Sequence, residues 1–538
     1  MATVCLFLAN AWRTEADADL WGHLRFGLET LSTHKLPETD PYSYTAVGAA
    51  WTNHEWLSEL MFAACYRAGG TCGLILLRGG LLALTFGAIG IIVVRRRLSP
   101  TATLALALFG ITFLPEFYRI RPQMFTYTAF AWLIVACDGY RAGSRWILAG
   151  LPILFGLWCN FHAGFVAGLG ILGIYWCSSI WDAVRELRAD SSESSHSPAD
   201  GTRSAPATLS GAEWQFLGLV LAACVAATLC NPYGIEYWRY VLAAITMPRP
   251  AISEWGPVWS HHPLVWACYL AAVLVPIACW LGSTRRAAVA ETAAFVLVAY
   301  LAARHARHIP FAMILGAAVF SRRWTEACER WGAVKNASRT GTGTHVLREF
   351  GSPENLAVPG RFVLALLLLA AILGSTTKLS REVAAAQTEG ILTVPSGLYP
   401  VAAVAFLEDH QLAGNLYCGF SWGEYCLWHL SPHCPVFCDG RYETVYPAEI
   451  SALALSPLST QAERCAIVEH YPTEIVLVPA DAPFAGWLAE RHDFAEIYRD
   501  ELARIFLKRS EKFADTLQTF SGPSRATGAA APQVPFPG

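Results

Sequence analysis

Charge is the scarcest commodity in this chain. Only 15% of its 538 residues are Asp, Glu, Lys or Arg, against 54% apolar, and the mean hydropathy is +0.36. That balance excludes an ordinary soluble enzyme and describes a polytopic membrane protein. The net charge of -3 leaves no room for a strongly basic nucleic-acid binder. No CxxC pair occurs among the sixteen cysteines, which argues against zinc and thioredoxin-like chemistry. Most of the thiols fall in or beside apolar stretches, where a cysteine is a small packing residue. Cys418, Cys426, Cys434 and Cys438 instead cluster in the polar C-terminal part, where a disulfide can form if that region is exported. Met1 to Trp12 has neither the positive segment nor the cleavage site of a signal peptide. At about half the length needed to cross a bilayer, it reads as a first helix cut short.

What is present is a succession of apolar runs. Candidate spans fall near 72–94, 101–118, 122–138, 146–159, 162–181, 214–230, 264–282, 288–303, 307–321 and 361–375, which with the short N-terminal helix makes about 11 spans. Arg95-Arg96-Arg97, Arg141 with Arg145, Arg185 with Arg188, Arg285-Arg286 and Arg322-Arg323 mark alternate span ends, which assigns those ends to the cytoplasm. The exported side then receives 13–71, the long 231–263 loop and everything after 376. In the first exported loop, Leu20, Leu24, Leu28 and Leu31 recur at helical spacing, predicting an amphipathic helix on the membrane surface. Thr39-Asp40-Pro41 breaks the chain, and Thr52 to Glu55 reads as a capping box opening a second amphipathic helix. The connector 183–213 is rich in Ser and Asp and predicts a mobile segment.

After 376 the character changes. Short β-rich runs (415–419, 435–439, 474–478, 503–508) alternate with helical stretches (401–410, 447–455, 482–491), an α/β pattern. The fold class is therefore mainly α: a polytopic transmembrane helical bundle over 1–375, with exported amphipathic helices in its first loop, a small exported α/β domain over 376–509, and a disordered tail over 510–538. No glycine-rich phosphate loop, nucleophile elbow or zinc spacing occurs in that domain, and Asp439-Gly440-Arg441-Tyr442-Glu443 reads as a turn after a strand.

Polar groups at a membrane edge need a reason. Asp17 and Asp19 sit just ahead of the first amphipathic helix, with His23 one turn beyond. One aspartate suffices as a helix cap, and Asp19 is the better placed for it. The pair suits a general base or the ligands of a divalent cation such as Mg2+ or Mn2+. His54 fits the interface and Glu55 the capping box, with substrate contact the alternative for both. Arg119, Arg121 and Gln123 lie at one exported span end, and Arg304, His305, Arg307 and His308 at another. Single arginines there snorkel to lipid phosphates, whereas a cluster can hold a substrate phosphate. Arg78 lies inside its span, where an unpaired charge is costly. Asn160-Phe161-His162 reads as a polar turn, and His261-His262 has no metal-site spacing.

The runs ADADLWGHLRFG, TDPYSYT and WTNHEWLSE, followed by RPQMFTY, NFHAGF, NPYG and DGRYE, resemble a largely uncharacterised bacterial branch of the GT-C membrane glycosyltransferases. That group includes protein mannosyltransferases, arabinosyltransferases and oligosaccharyltransferases. The resemblance implies a lipid-phosphate sugar donor, a glycan, lipid or protein acceptor, and a multi-pass enzyme of the bacterial cytoplasmic membrane with its site and C-terminal domain exported. It also implies that Asp17 or Asp19 is the key acidic residue. Two other readings use the same residues: a flippase for a lipid-linked sugar, and a non-catalytic scaffold. A flippase built from repeats would show broken helices at matching positions of two halves, and no such internal repeat is found.

Overall fold

The computed structural model describes residues 14–192, 211–247, 249, 252–283, 288–337, 392–395, 397–520, 522–525 and 534–538. The expected spans at 1–12 and 361–375 and most of the serine-rich connector lie outside these residues. Within them the chain is mainly helical. The bundle comprises α1 (Leu20–Thr33), α2 (Trp56–Arg95), α3 (Pro100–Phe117), α4 (Gln123–Arg141), α5 (Leu151–Phe161), α6 (Phe165–Ser192), α7 (Gly211–Ala227), α8 (Ile235–Thr246), α9 (Pro263–Gly282), α10 (Val289–Arg304) and α11 (Ile309–Ala337). Four segments, α2, α3, Phe165–Arg185 of α6 and α9, are long and apolar enough to cross a membrane. Large apolar side chains such as Leu76, Leu219, Leu274 and Leu281 point outward, an arrangement suited to hydrocarbon rather than water.

The two amphipathic helices expected in the first loop differ from expectation. Both faces of α1 are covered, because it packs on α2 on one side and on the C-terminal part on the other. Its approach to α2 is close: a Cβ on Gly27 would lie 2.1 Å from the Glu59 carbonyl oxygen. The second amphipathic stretch is the first segment of α2, separated from the apolar span by a break at Gly69 and Gly70. Gly70 has φ +56°, a left-handed conformation that costs glycine little. The capping box at Thr52 is also not formed. The helix starts at Trp56 with Glu55 as its N-cap, and the Glu55 side chain makes no cap. Asn53 Oδ1 accepts the Glu55 N–H at 3.2 Å instead, which frees the Glu55 carboxylate to turn inward. The long 231–263 loop contains an unexpected helix, α8, with Tyr237 and Val241 on its buried face.

Of the arginines used to assign topology, Arg96, Arg141, Arg322 and Arg323 gather at one end of the bundle. Arg96 and Arg322 close on Asp138 at 2.6 and 2.8 Å, and Arg141 on Glu291 at 2.5 Å. Arg78 Nε donates to the Tyr118 carbonyl at 2.6 Å and Nη2 to that of Pro115 at 3.0 Å, so its charge is absorbed by the proline-interrupted end of α3.

At the opposite end, the C-terminal part forms a five-stranded sheet in the order β3 (Leu416–Cys418), β4 (Ile475–Pro479), β6 (Ala503–Lys508), β5 (Phe494–Arg499), β7 (Ser524–Arg525). The β3/β4 and β5/β7 pairs are parallel, and β6 is antiparallel to both β4 and β5. The expected strand at 435–439 is reduced to bridges at Val436. Cys418, Cys426, Cys434 and Cys438 are buried free thiols. The chain ends hold this part to the bundle: β1 (Thr14–Glu15) pairs in parallel with β2 (Leu392–Thr393). Trp21 Nε1 donates to the Pro537 carbonyl at 2.8 Å, within the stretch whose composition reads as a loose tail.

The main clamp is Arg441. It is buried and paired at 2.7 Å with both Asp439 and Asp40, with its guanidinium carbon 4.8–5.2 Å from the ring centres of Phe26, Tyr42 and Trp51. The DGRYE segment is therefore a fastener rather than a plain turn. Arg441→Met strands two buried carboxylates and should cost roughly 3–5 kcal/mol, read as an earlier denaturant midpoint in detergent. Arg239→Met, which removes the exposed pair with Glu236, should stay within about 1 kcal/mol of the parent. Equal midpoints for the two variants would contradict the clamp.

Candidate active site

Between the bundle and the C-terminal part lies a cavity of about 590 Å³. Its walls come from α1, the start of α2, the Arg121–Phe130 stretch, α6, α8, the Glu254 loop, the Leu297–Phe311 stretch and the 420–444 region. Of the residues singled out from the sequence, Asp19, His23, His54, Glu55, Arg121, Gln123, His305 and Arg307 line it. Arg304 does not; it is exposed at the end of α10. Arg119 is half exposed and only reaches back to Asp17 at 3.7 Å.

Asp17 and Asp19 share one cation. Arg121 Nε lies 3.0 Å from Asp17 Oδ1, and Arg121 Nη2 bonds Asp19 Oδ2. The third nitrogen, Nη1, bonds Glu254 at 2.9 Å. Asp19 is the N-cap residue of α1, as expected, but its side chain caps nothing because the guanidinium takes it. Asp17 is buried behind the cavity wall. Burial raises its pKa against the pull of Arg121, and the neighbouring Asp19 adds to the rise. The Arg121 guanidinium sits against both carboxylates at the place where the sequence suggests a divalent cation. Among the described residues no group of three or more His, Cys, Asp or Glu is arranged to hold a metal ion.

Glu254 binds a second arginine, Arg307, at 3.3 Å. Burial opposes its charge, but Arg121 and Arg307 prevail and lower its pKa. Next to it, Trp255 lies between two guanidiniums, Arg307 at 4.4 Å and Arg249 at 4.7 Å from the ring centre. His305 Nδ1 donates to the Trp255 carbonyl at 2.6 Å. The side-chain oxygen of Gln123 is buried without a protein partner.

A second polar wall surrounds Glu55. Its carboxylate lies 3.6 Å from His54 Nε2, 3.6 Å from His162 Nε2 and 3.8 Å from His23 Nε2. His23 Nδ1 is 3.2 Å from Glu59 Oε1. Burial opposes a charged His23, yet the Glu59 bond and the Glu55 charge win and raise its pKa. Burial, with His23 adding to it, lowers His54 to about 3. Burial and Arg307 push His162 well below its ordinary value. Burial likewise raises Glu55 to about 7, with His23 pulling down and Glu59 pushing up.

Several contributors were not singled out for the site by sequence. Glu254 lies inside the long 231–263 loop, and His162 reads from sequence as part of a polar turn. Glu424 lies on α12 (Gly423–Leu430), a helix with no periodic signal. Its Oε2 accepts the Gly22 N–H at 3.0 Å, and its carboxyl fills space that a Cβ on Gly22 or Gly440 would occupy, each 2.4 Å away. Burial, and then Asp19 and Asp439, raise its pKa well above the usual range.

The Glu55 surroundings carry a stability consequence. A carboxyl with a pKa of about 7 folded and 4.5 unfolded binds more protons when folded, so stability falls as pH rises between those values. Glu55→Gln should therefore be more stable than the parent at pH 8, by about 3 kcal/mol at most. The gain should vanish near pH 4.5. Thermal unfolding of both proteins in detergent across this range measures it, and a gain independent of pH would contradict the assignment.

Neither protein-family models nor curated proteins give a match to this chain. Solved structures do. The archaeal oligosaccharyltransferase AglB from Archaeoglobus fulgidus, in complex with an inhibitory peptide and a dolichol-phosphate, superposes with TM-score 0.52 at 12% identity, over 89% of this chain and 69% of that one. The apo form of the Archaeoglobus fulgidus oligosaccharyltransferase gives the same score and identity over 97% and 75%. ArnT from Cupriavidus metallidurans in the apo state gives 0.50 at 12% identity, over 97% and 98%. The fold of this chain is the GT-C fold of polytopic membrane glycosyltransferases.

Proposed function

We propose that the protein is a membrane glycosyltransferase that moves a sugar from a polyprenyl-phosphate donor to an acceptor at the exported face of the bacterial cytoplasmic membrane. The observation that carries this reading is the make-up of one cavity. Arg121, Arg249 and Arg307 line it together with Asp19, Glu55 and Glu254, while Val166, Ile171, Leu297, Val298 and Leu301 line its apolar side. A phosphate ester on an isoprenoid chain needs such a mixture: fixed cations for the phosphate and hydrocarbon for the chain. The dolichol-phosphate bound in the similar oligosaccharyltransferase supports the same donor class.

The roles follow from position. Arg307 and Arg121, already positioned by Glu254, hold the donor phosphate and stabilise it as it leaves. Of the aspartate pair, Asp19 lines the cavity, so the catalytic role falls to it. Its carboxylate stabilises the positive charge that develops on the sugar ring as the bond to phosphate breaks. Asp17 and Arg119 fix Arg121 from behind. The topology that accompanies this reading has about 11 spans, with 376–509 as an exported domain whose Glu424 and Arg441 close the cavity.

Membrane vesicles from cells lacking the gene supply donor and acceptor together. Added full-length protein should release free polyprenyl phosphate from them, read by mass spectrometry. Asp19→Asn should lower the rate by about 10²–10³-fold, the scale of losing one preorganised electrostatic group. Movement of an intact lipid-linked sugar across the vesicle without its cleavage would overturn the reading in favour of a flippase.

A further inference from the structure

We propose that Glu55 is the base of this site, taking the proton of the acceptor hydroxyl, and that His23 with Glu59 forms the relay that carries the proton away. The inference rests on the glycosyl-transfer reading and adds a residue to it. The step balances within the chain and its substrates: the acceptor oxygen bonds the anomeric carbon, its proton goes to Glu55, and the bond to phosphate breaks with its electron pair leaving on the polyprenyl phosphate.

Geometry separates Glu55 from the aspartates. Asp17 and Asp19 are both clamped by the Arg121 guanidinium, and Asp17 does not line the cavity. Among the described residues, Glu55 has no arginine or lysine within ion-pair distance; its neighbours are three imidazoles. The separations of 3.6–3.8 Å exceed direct hydrogen bonds, so the rings surround the Glu55 carboxylate without binding it, and Glu55 lines the cavity. His162 is fixed for this contact: the Gly164 N–H donates to its Nδ1 at 2.9 Å, so the neutral ring carries its proton on Nε2, facing Glu55.

The relay is equally fixed. His23 meets Glu55 through Nε2 and Glu59 through Nδ1, so one ring connects the two carboxylates. Glu59 Oε2 accepts from Asn53 Nδ2 at 2.5 Å, and the Asn53 N–H donates to Tyr233 at 3.0 Å. The groups that face Glu55 are Asp19 just ahead of α1, His23 on α1, His54 just ahead of α2, Glu59 on α2, Arg121, His162, and Tyr237 and Tyr240 from α8. Burial among them brings the Glu55 carboxyl to about 7, matched to proton transfer near neutral pH.

The test uses full-length protein with the deletion-strain vesicles as probe, reading polyprenyl phosphate release from pH 5 to 9. The parent should show an acid limb near pH 7. Glu55→Gln should lose at least about 100-fold in rate with an unchanged dependence on vesicle concentration, and Glu55→Asp should recover part of it. His23→Gln should slow the reaction and shift the acid limb. A Glu55→Gln rate within about threefold of the parent would overturn the proposal while leaving glycosyl transfer standing. Chelator-sensitive activity restored by a divalent cation would also overturn it, by making the Glu55 cluster a metal site. A parent that releases nothing would overturn the reading beneath it.

Discussion

Three distant parts of the chain meet on the guanidinium of Arg121: Asp17 and Asp19 ahead of α1, the start of α4, and Glu254 in the loop after α8. An arginine so enclosed is stable only while its anionic partners stay in place, and they only while it does. This mutual dependence fixes the first turn of α1, and with it His23 and the wall that faces Glu55. The clamp at Arg441 acts on the same helix from the other side, through Phe26 and the Asp40 loop. The cavity therefore depends on two paired arginines, the half-buried Arg121 of the bundle and the buried Arg441 of the C-terminal part.

That arrangement sorts the carboxylates by environment. Arginine partners lower Glu254, whereas burial among imidazoles raises Glu55 and burial against Gly22 and Gly440 raises Glu424. A site whose acidic groups are pushed apart in this way can hold fixed negative charge and a proton acceptor within one cavity.

The bundle was legible because apolar runs and arginine-rich ends are local signals. α3, α4, α6, α7, α9 and α10 fall close to the predicted ranges, and Arg96, Arg141 and Arg322 do gather at one end. α8 escaped because a short amphipathic helix in a loop opened by Asn231-Pro232 looks like loop composition. β5 and α12 escaped because neither has clean periodicity. Cavity-lining residues were legible where polar groups crowd together, as at Asp19, Arg121 and Arg307. They were not where a lone polar residue had a good local explanation. Glu55 fitted a capping box and Arg441 a turn; only the tertiary structure shows that their side chains turn inward. No local pattern could connect Glu254 to Arg121 across 133 residues.

The central claim is that this cavity cleaves a lipid-linked sugar. Comparing the lipid-linked sugars and envelope glycans of cells with and without the gene, by mass spectrometry, tests it most directly. The account predicts that cells lacking the gene accumulate one polyprenyl-phosphate sugar and lose one glycan modification, and that a plasmid copy carrying Asp19→Asn restores neither. Unchanged lipid-linked sugars and glycans in the deletion strain would contradict it.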